Sequence, residues 1–327
     1  MCRTRIFLNY STTIQTENKR LEEPYRDLPH IHDNSSQNCF LIQIGFHYNE
    51  KSASASANAI MTTKRLTPQL NTIIAAKRYY LAQRKAKTPL EAVRALASMQ
   101  KRPSPILSNV ASDDEPVVII GQVKHNLSNN GQVAYDPVGM ALRYVHKEVD
   151  AVALFTDQII YEDGLDDLMF VASAIDRPVI CQDYVLDEYE IVEARAAGAS
   201  ALLLSAAVLD NDTLRRMVSA TQRNLMTAIV QVHNIEELDY AISLSPHVIS
   251  LSTDNPFTPE IELDLSMTRQ MRDMIPNHIR VMISENLKTM DEVAAVTRLD
   301  VDAIMISEQL LETAKTVDNL RQAFRDG

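Results

Sequence analysis

The sequence predicts one α/β domain, a closed (βα)8 barrel preceded by two extra helices. Three observations carry that expectation. Eight short apolar runs recur between Val117 and Ile306, each followed by an amphipathic helical stretch, at roughly 25-residue spacing. The runs are apolar almost throughout rather than at alternate residues, so they are buried on both faces, as strands of a parallel sheet are. No Gly-x-Gly-x-x-Gly follows the first run, which removes the main sign of an open dinucleotide-binding sheet and leaves closure as the way to accommodate eight successive units.

Element by element, the pattern begins at Thr67-Pro68, which opens a long amphipathic helix through Ile73, Ile74, Tyr79 and Leu81 to about Lys87. Thr88-Pro89-Leu90-Glu91 starts a shorter second helix by the same N-terminal grammar. A polar, proline-rich connection from Lys101 to Glu115 leads into the first strand, Val117 to Val123, and Asp136-Pro137 caps the helix after it. The remaining strands are expected at Ala151 to Phe155, Val179 to Cys181, Ala201 to Leu204, Thr227 to Val232, Val248 to Leu251, Arg280 to Ile283 and Ala303 to Ile306. Their helices run Leu165 to Ile175, Asp187 to Ala197, Asn211 to Arg223, Ile235 to Leu244, Leu263 to Met274, Met290 to Leu299 and Gln309 to Phe324. The domain is thus residues 61–327, with the barrel proper over about 116–324.

Residues 1–60 read differently. They lack a sustained period, are rich in Asn, Ser and His, and end in the low-complexity run Ser52 to Asn58. They are expected to be disordered, or a spurious extension ahead of a true start at Met61.

Composition narrows function. The chain has 327 residues and a formal net charge of −11, which excludes a protein that holds nucleic acid or an anionic membrane through bulk charge. No apolar run approaches the roughly 20 residues needed to span a bilayer. Three cysteines, Cys2, Cys39 and Cys181, form no metal-like spacing and point to a reduced, cytoplasmic setting. There are seven glycines, and between Gly198 and Gly327 there is none. The last third of the chain therefore has no glycine-built cradle for an anion.

In a barrel of this kind chemistry sits at the C-terminal ends of the strands. There, Ile120-Gly121-Gln122-Val123-Lys124, Pro178-Val-Ile-Cys-Gln-Asp-Tyr184, Glu193-Ala-Arg-Ala-Ala-Gly-Ala-Ser200, Ile229-Val-Gln-Val-His-Asn234 and Ile283-Ser-Glu-Asn286 occur in order. This series resembles the successive motifs of the indole-3-glycerol phosphate synthases, which are TIM barrels of tryptophan biosynthesis with an extra N-terminal helical segment. The resemblance covers about residues 67–324. It implies a cofactor-free lyase reaction in which carboxyphenylamino-deoxyribulose phosphate closes a pyrrole ring, losing carbon dioxide and water. In such enzymes a lysine is the general acid, glutamates act as base and charge stabilisers, and glycine-rich loops grip the phosphate.

Carried over position by position, the resemblance implies a depleted site. The first-strand glutamate is Gln122, the general-acid lysine is Gln182, the fifth-strand glutamate is Gln231, and the sixth-strand asparagine falls near Ser252. Lys124 and Glu285 are retained and are expected to neutralise each other across the barrel mouth. Glutamine keeps the shape and hydrogen bonds of what it replaces but has no proton to exchange near neutral pH. The phosphate positions correspond to Ser128, Asn286, Ser307 and Gln309, with Glu308 beside them opposing an anion. Asp183 and His233 are expected to orient loops and Cys181 to lie in the core. His125 with Asn126 is the place for new chemistry, if there is any. Three readings follow. The chain is a pseudoenzyme kept for binding or for assembly with a protein partner, with its phosphorylated ligand held weakly or not at all. Alternatively it is an active synthase with a remodelled site, or a barrel enzyme of different specificity. Replacement of charge by amide favours the first.

Overall fold

A computed structural model of the protein describes residues 68–107, 117–124, 135–157, 164–252, 265–287 and 289–326, without the side chains of 285 and 286. The chain divides into two units, Met1–Ile60 and Met61–Gly327, and every described element belongs to the second. The expectation for residues 1–60 falls outside the described residues.

Two helices, α1 (Pro68–Lys87) and α2 (Leu90–Met99), precede eight strands. These are β1 (Val118–Val123), β2 (Ala151–Phe155), β3 (Val179–Gln182), β4 (Ala201–Ser205), β5 (Thr227–Val232), β6 (Val248–Leu251), β7 (Arg280–Leu287) and β8 (Ala303–Ile306). All neighbours are parallel, and β8 returns to pair with β1, Val118 opposite Ala303, which closes the barrel. Helices α3 (Pro137–His146), α4 (Gly164–Ala174), α5 (Glu188–Ala196), α6 (Asn211–Arg223), α7 (Ile235–Ser243), α8 (Leu265–Met274) and α9 (Met290–Val296) follow the first seven strands, and α10 (Glu308–Ala314) and α11 (Val317–Asp326) end the chain. Side-chain caps set most helix starts: Asp136, Asp187, Asp210, Asn234, Thr289 and Ser307 each accept from a backbone N–H of the first turn. No described helix is long and apolar enough to cross a membrane.

Three expectations need correction. The last helix is two. Lys315 takes a left-handed φ of 69° between α10 and α11, and Thr316 Oγ1 restarts the chain by accepting from Asn319 N at 3.2 Å. A lysine stands where a glycine would have marked the break, so no local punctuation announces it. Thr88 does not cap α2. Its amide bonds to Arg84 O at 2.8 Å, closing α1, and the N-cap position is Pro89, which offers no side-chain bond. Finally, β7 runs on to Leu287, with a register shift against β8 between Ile283 and Leu287.

Alternation along the strands sorts the core into two shells. Val118, Ile120, Ala151, Ala153, Ile180, Ala201, Leu203, Ile229, Met282 and Met305 fill the barrel interior, while the intervening residues pack outward against the helices. Gly121 belongs to the outward set. A Cβ there would lie 2.4 Å from the Tyr144 ring, so glycine is what lets α3 seat that ring on β1. The Tyr144 hydroxyl then donates to Gln122 O at 3.0 Å, fixing the end of β1.

The N-terminal helix is held to the barrel by a buried ionic seam. Lys77, 3% exposed, lies 2.6 Å from Asp183 and 3.1 Å from Glu190, while Arg84 reaches Glu190 at 3.3 Å and Glu193 at 3.1 Å. Burial alone would lower the Lys77 ammonium's pKa, but Asp183 and Glu190 more than reverse that and hold it charged. Burial also pushes the Glu193 carboxyl up to about 7, against the pull of Arg84. A carboxyl whose folded value lies above its unfolded one contributes stability at low pH and loses it as pH rises through the folded value. From pH 4.5 to about 7 the protein therefore loses on the order of 2 kcal/mol through this group. Glu193→Gln removes that titration. In urea denaturation, the variant's stability relative to the native chain should climb by this amount between about pH 4.5 and pH 8, and a constant difference contradicts the assignment.

Candidate functional site at the barrel mouth

The alternation that fills the interior also decides the mouth. The last inward-facing residues of the strands are Gln122 on β1, Phe155 on β2, Gln182 on β3, Ser205 on β4, Gln231 on β5, Ser250 on β6 and Ser284 on β7, with Ser252 just past β6. Most are buried: Gln122 is 5% exposed, Gln182 3% and Ser284 8%. None of these side chains ionises near neutral pH.

Two of the three glutamines are each other's partner. Gln122 Nε2 donates to Gln182 Oε1 at 3.0 Å across the barrel. The third, Gln231, donates through Nε2 to Ser284 Oγ at 3.0 Å. Each bond joins strands that are not neighbours, β1 to β3 and β5 to β7, so the amides brace the mouth from inside. Two atoms remain over: Gln122 Oε1 and the fully buried Ser250 Oγ have no hydrogen-bond partner among the described residues. Lys124, exposed just beyond β1, sits with its Nζ 5.5 Å from the centre of the Phe155 ring. A cation over an aromatic face is a favourable but modest contact.

Other residues singled out in the sequence take structural places. Asp183 faces outward to Lys77 and also accepts from Thr156 Oγ1 at 3.4 Å. His233 Nδ1 lies 3.0 Å from Glu237, whose carboxylate also accepts the His233 backbone N–H at 3.0 Å, tying β5 to α7. Cys181 is buried behind the barrel wall, 3.2 Å from Thr156 Oγ1, and burial pushes its thiol up to about 12, so it is not a nucleophile.

Of the positions expected to hold a phosphate, Ser307 is already committed. Its Oγ donates to Leu287 O at 3.0 Å and accepts from Leu310 N at 3.1 Å as the cap of α10. Glu308 pairs with Arg143 at 2.6 Å, and Gln309 is exposed on the first turn. Ser128, His125 and Asn126 lie outside the described residues, as do the side chains of Glu285 and Asn286, and with them the expected Lys124–Glu285 pair. Sequence reasoning missed Phe155, Ser284 and Lys77 as participants. The first two could have been found by counting every second residue along β2 and β7. Lys77 could not, because its carboxylate partners lie more than 100 residues away.

Comparison with known proteins gives one consistent answer. Residues 70–323 match the family model of indole-3-glycerol phosphate synthase. Curated relatives of that name include one from Roseiflexus castenholzii, 29% identical over 265 residues that cover 77% of this chain and 97% of the relative. Others come from Kineococcus radiotolerans, 30% identical with 74% and 89% covered, and from a Nocardioides species, 31% identical with 74% and 93% covered.

The amide brace makes a prediction about stability. Gln122→Glu places a buried carboxylate beside an amide that can offer it a neutral N–H but no counter-charge, which costs roughly 1–3 kcal/mol at neutral pH. Adding Gln182→Lys supplies that counter-charge, so urea denaturation of the two single variants and the double should give a favourable coupling of at least about 1 kcal/mol. Additive effects of the two changes would mean that the bond does not form.

Proposed function

Since the chain belongs to the indole-3-glycerol phosphate synthase family, we propose that it is a member that has kept the barrel and given up the chemistry, serving in binding or in assembly with a protein partner, in the cytoplasm. The observation that carries the reading is the 3.0 Å bond between Gln122 and Gln182. These are the positions matching the family's first-strand glutamate and its general-acid lysine. Changing one alone would strand a buried charge, at a cost of several kcal/mol. Changed together they form a neutral bond, so the mouth stays packed while these two positions no longer carry a group that exchanges a proton near neutral pH.

The loss is large in rate. A positioned general acid or base contributes roughly 10²- to 10⁴-fold, and Gln182 and Gln231 stand at two such positions. Lys124 is retained, but its Nζ lies over Phe155, and one lysine at the rim does not replace an acid and a base inside the ring. The commitment of Ser307 to its helix and to Leu287 weakens the hold on a phosphate as well. A phosphorylated ligand of the family type is therefore held weakly or not at all.

Purified protein given carboxyphenylamino-deoxyribulose phosphate should form no indole-3-glycerol phosphate above background. Gln182→Lys combined with Gln231→Glu should recover only a trace, because the substrate is still not held in a reactive pose. Turnover by the native chain near one per second, ordinary for an enzyme, overturns the proposal in favour of a remodelled but working synthase.

A further inference from the structure

An amide offers two N–H donors and a carbonyl acceptor. The Gln122–Gln182 bond uses one donor of the first and the acceptor of the second. What is left is an acceptor, Gln122 Oε1, buried and without a hydrogen-bond partner, and a donor, Gln182 Nε2, bonded to no described residue. They sit on two amides already locked together, both facing into the barrel. Turning both amides over exchanges the two atoms and leaves the same pair, so the conclusion does not depend on how oxygen and nitrogen are assigned. Ser250 Oγ, fully buried on the same inner face, adds another polar atom with no partner. Buried polar groups are normally satisfied, and two orphans on one inner surface, Gln122 Oε1 and Ser250 Oγ, mark a place where something else completes the bonding.

The chemistry of that completion is restricted. The described side chains of the ring carry no charge, and Lys124 is an exposed cation at the rim. A carboxylate or phosphate entering between the amides would leave water without a counter-charge inside the ring, which is costly. A neutral group with a carbonyl beside an N–H meets the leftover donor and acceptor together. The half-buried Phe155 ring supplies an apolar wall next to the amide pair, since Phe155 lies opposite Gln182 in the β2–β3 register.

We propose that the mouth binds an uncharged ligand presenting a carboxamide, lactam or urea edge to Gln122 and Gln182, with an apolar or aromatic body against Phe155. This rests on the reading of the barrel as a binding rather than a catalytic member of its family, and it names the class of ligand.

The test is a matched pair of probes, benzamide and benzoate, which share size and shape and differ in charge and in the N–H. Each is titrated into the full-length protein labelled with ¹⁵N at glutamine side chains, with Gln122→Leu and Gln182→Met assigning the two amide signals. Benzamide should shift both signals with a Kd of about 1 mM, as suits so small a ligand. Benzoate should bind at least tenfold more weakly, and each variant should lose at least tenfold in benzamide affinity while keeping its circular dichroism. Equal or tighter binding of benzoate, or benzamide binding untouched by both variants, overturns the proposal. Should the variants not fold, the benzamide-to-benzoate ratio on the native chain decides alone. Failure here in a protein that makes no indole-3-glycerol phosphate sinks only this inference, whereas turnover sinks the reading beneath it.

Discussion

Everything at the functional end of this protein depends on one constraint, the alternation of side chains along eight parallel strands that close on themselves. Closure admits no choice about where the last inward residue of each strand points. Those few positions meet in one ring, and the chemistry available to the barrel is the chemistry of that ring. Among the described residues the ring is amide and hydroxyl with one aromatic side chain: Gln122 bonded to Gln182, Gln231 bonded to Ser284, serines between, and Phe155 on β2. The same closure makes the positions interdependent. A charge left alone in such a ring has nowhere to go, so a barrel that loses one charged partner is under pressure to lose the other.

Buried charges are found one layer out. Lys77, Asp183, Glu190 and Arg84 form a buried network on the outer side of β3, clamping α1 to the wall. Asp183 is adjacent in sequence to Gln182, yet the pleat sends the two side chains to opposite faces of the strand. The outward residue keeps its ionic partner and the inward one is neutral. Structural and catalytic demands on this strand are therefore separable: the outward contact can persist whatever residue the inward position carries.

The fold was legible because its signals are periodic and local. Apolar runs gave all eight strands, and Asp136-Pro137 marked a helix start that the Asp136 cap bears out. Where local signals were missing the reading went astray. The break at Lys315 depends on a left-handed residue that is not glycine, and Thr88 carries cap chemistry but spends its backbone on ending α1. The site was legible only as a set of positions. Family motifs placed Gln122, Gln182 and Gln231 at strand ends, but nothing local says that the first two touch each other, or that Ser284 receives the third. Those contacts cross the barrel between residues 60 and 53 apart in sequence, and only closure brings them together.

The central proposal is that a synthase-type barrel stands here with amides at Gln122, Gln182 and Gln231 in place of the family's charged groups, and makes no product. The most direct measurement is growth of a tryptophan auxotroph lacking its own synthase, carrying this chain at high and verified soluble expression. Growth responds to rates far below an ordinary turnover of about 1–10³ per second, so it leaves little room for hidden activity. The account predicts no colonies without added tryptophan. Growth on minimal medium that depends on the expressed chain would contradict it.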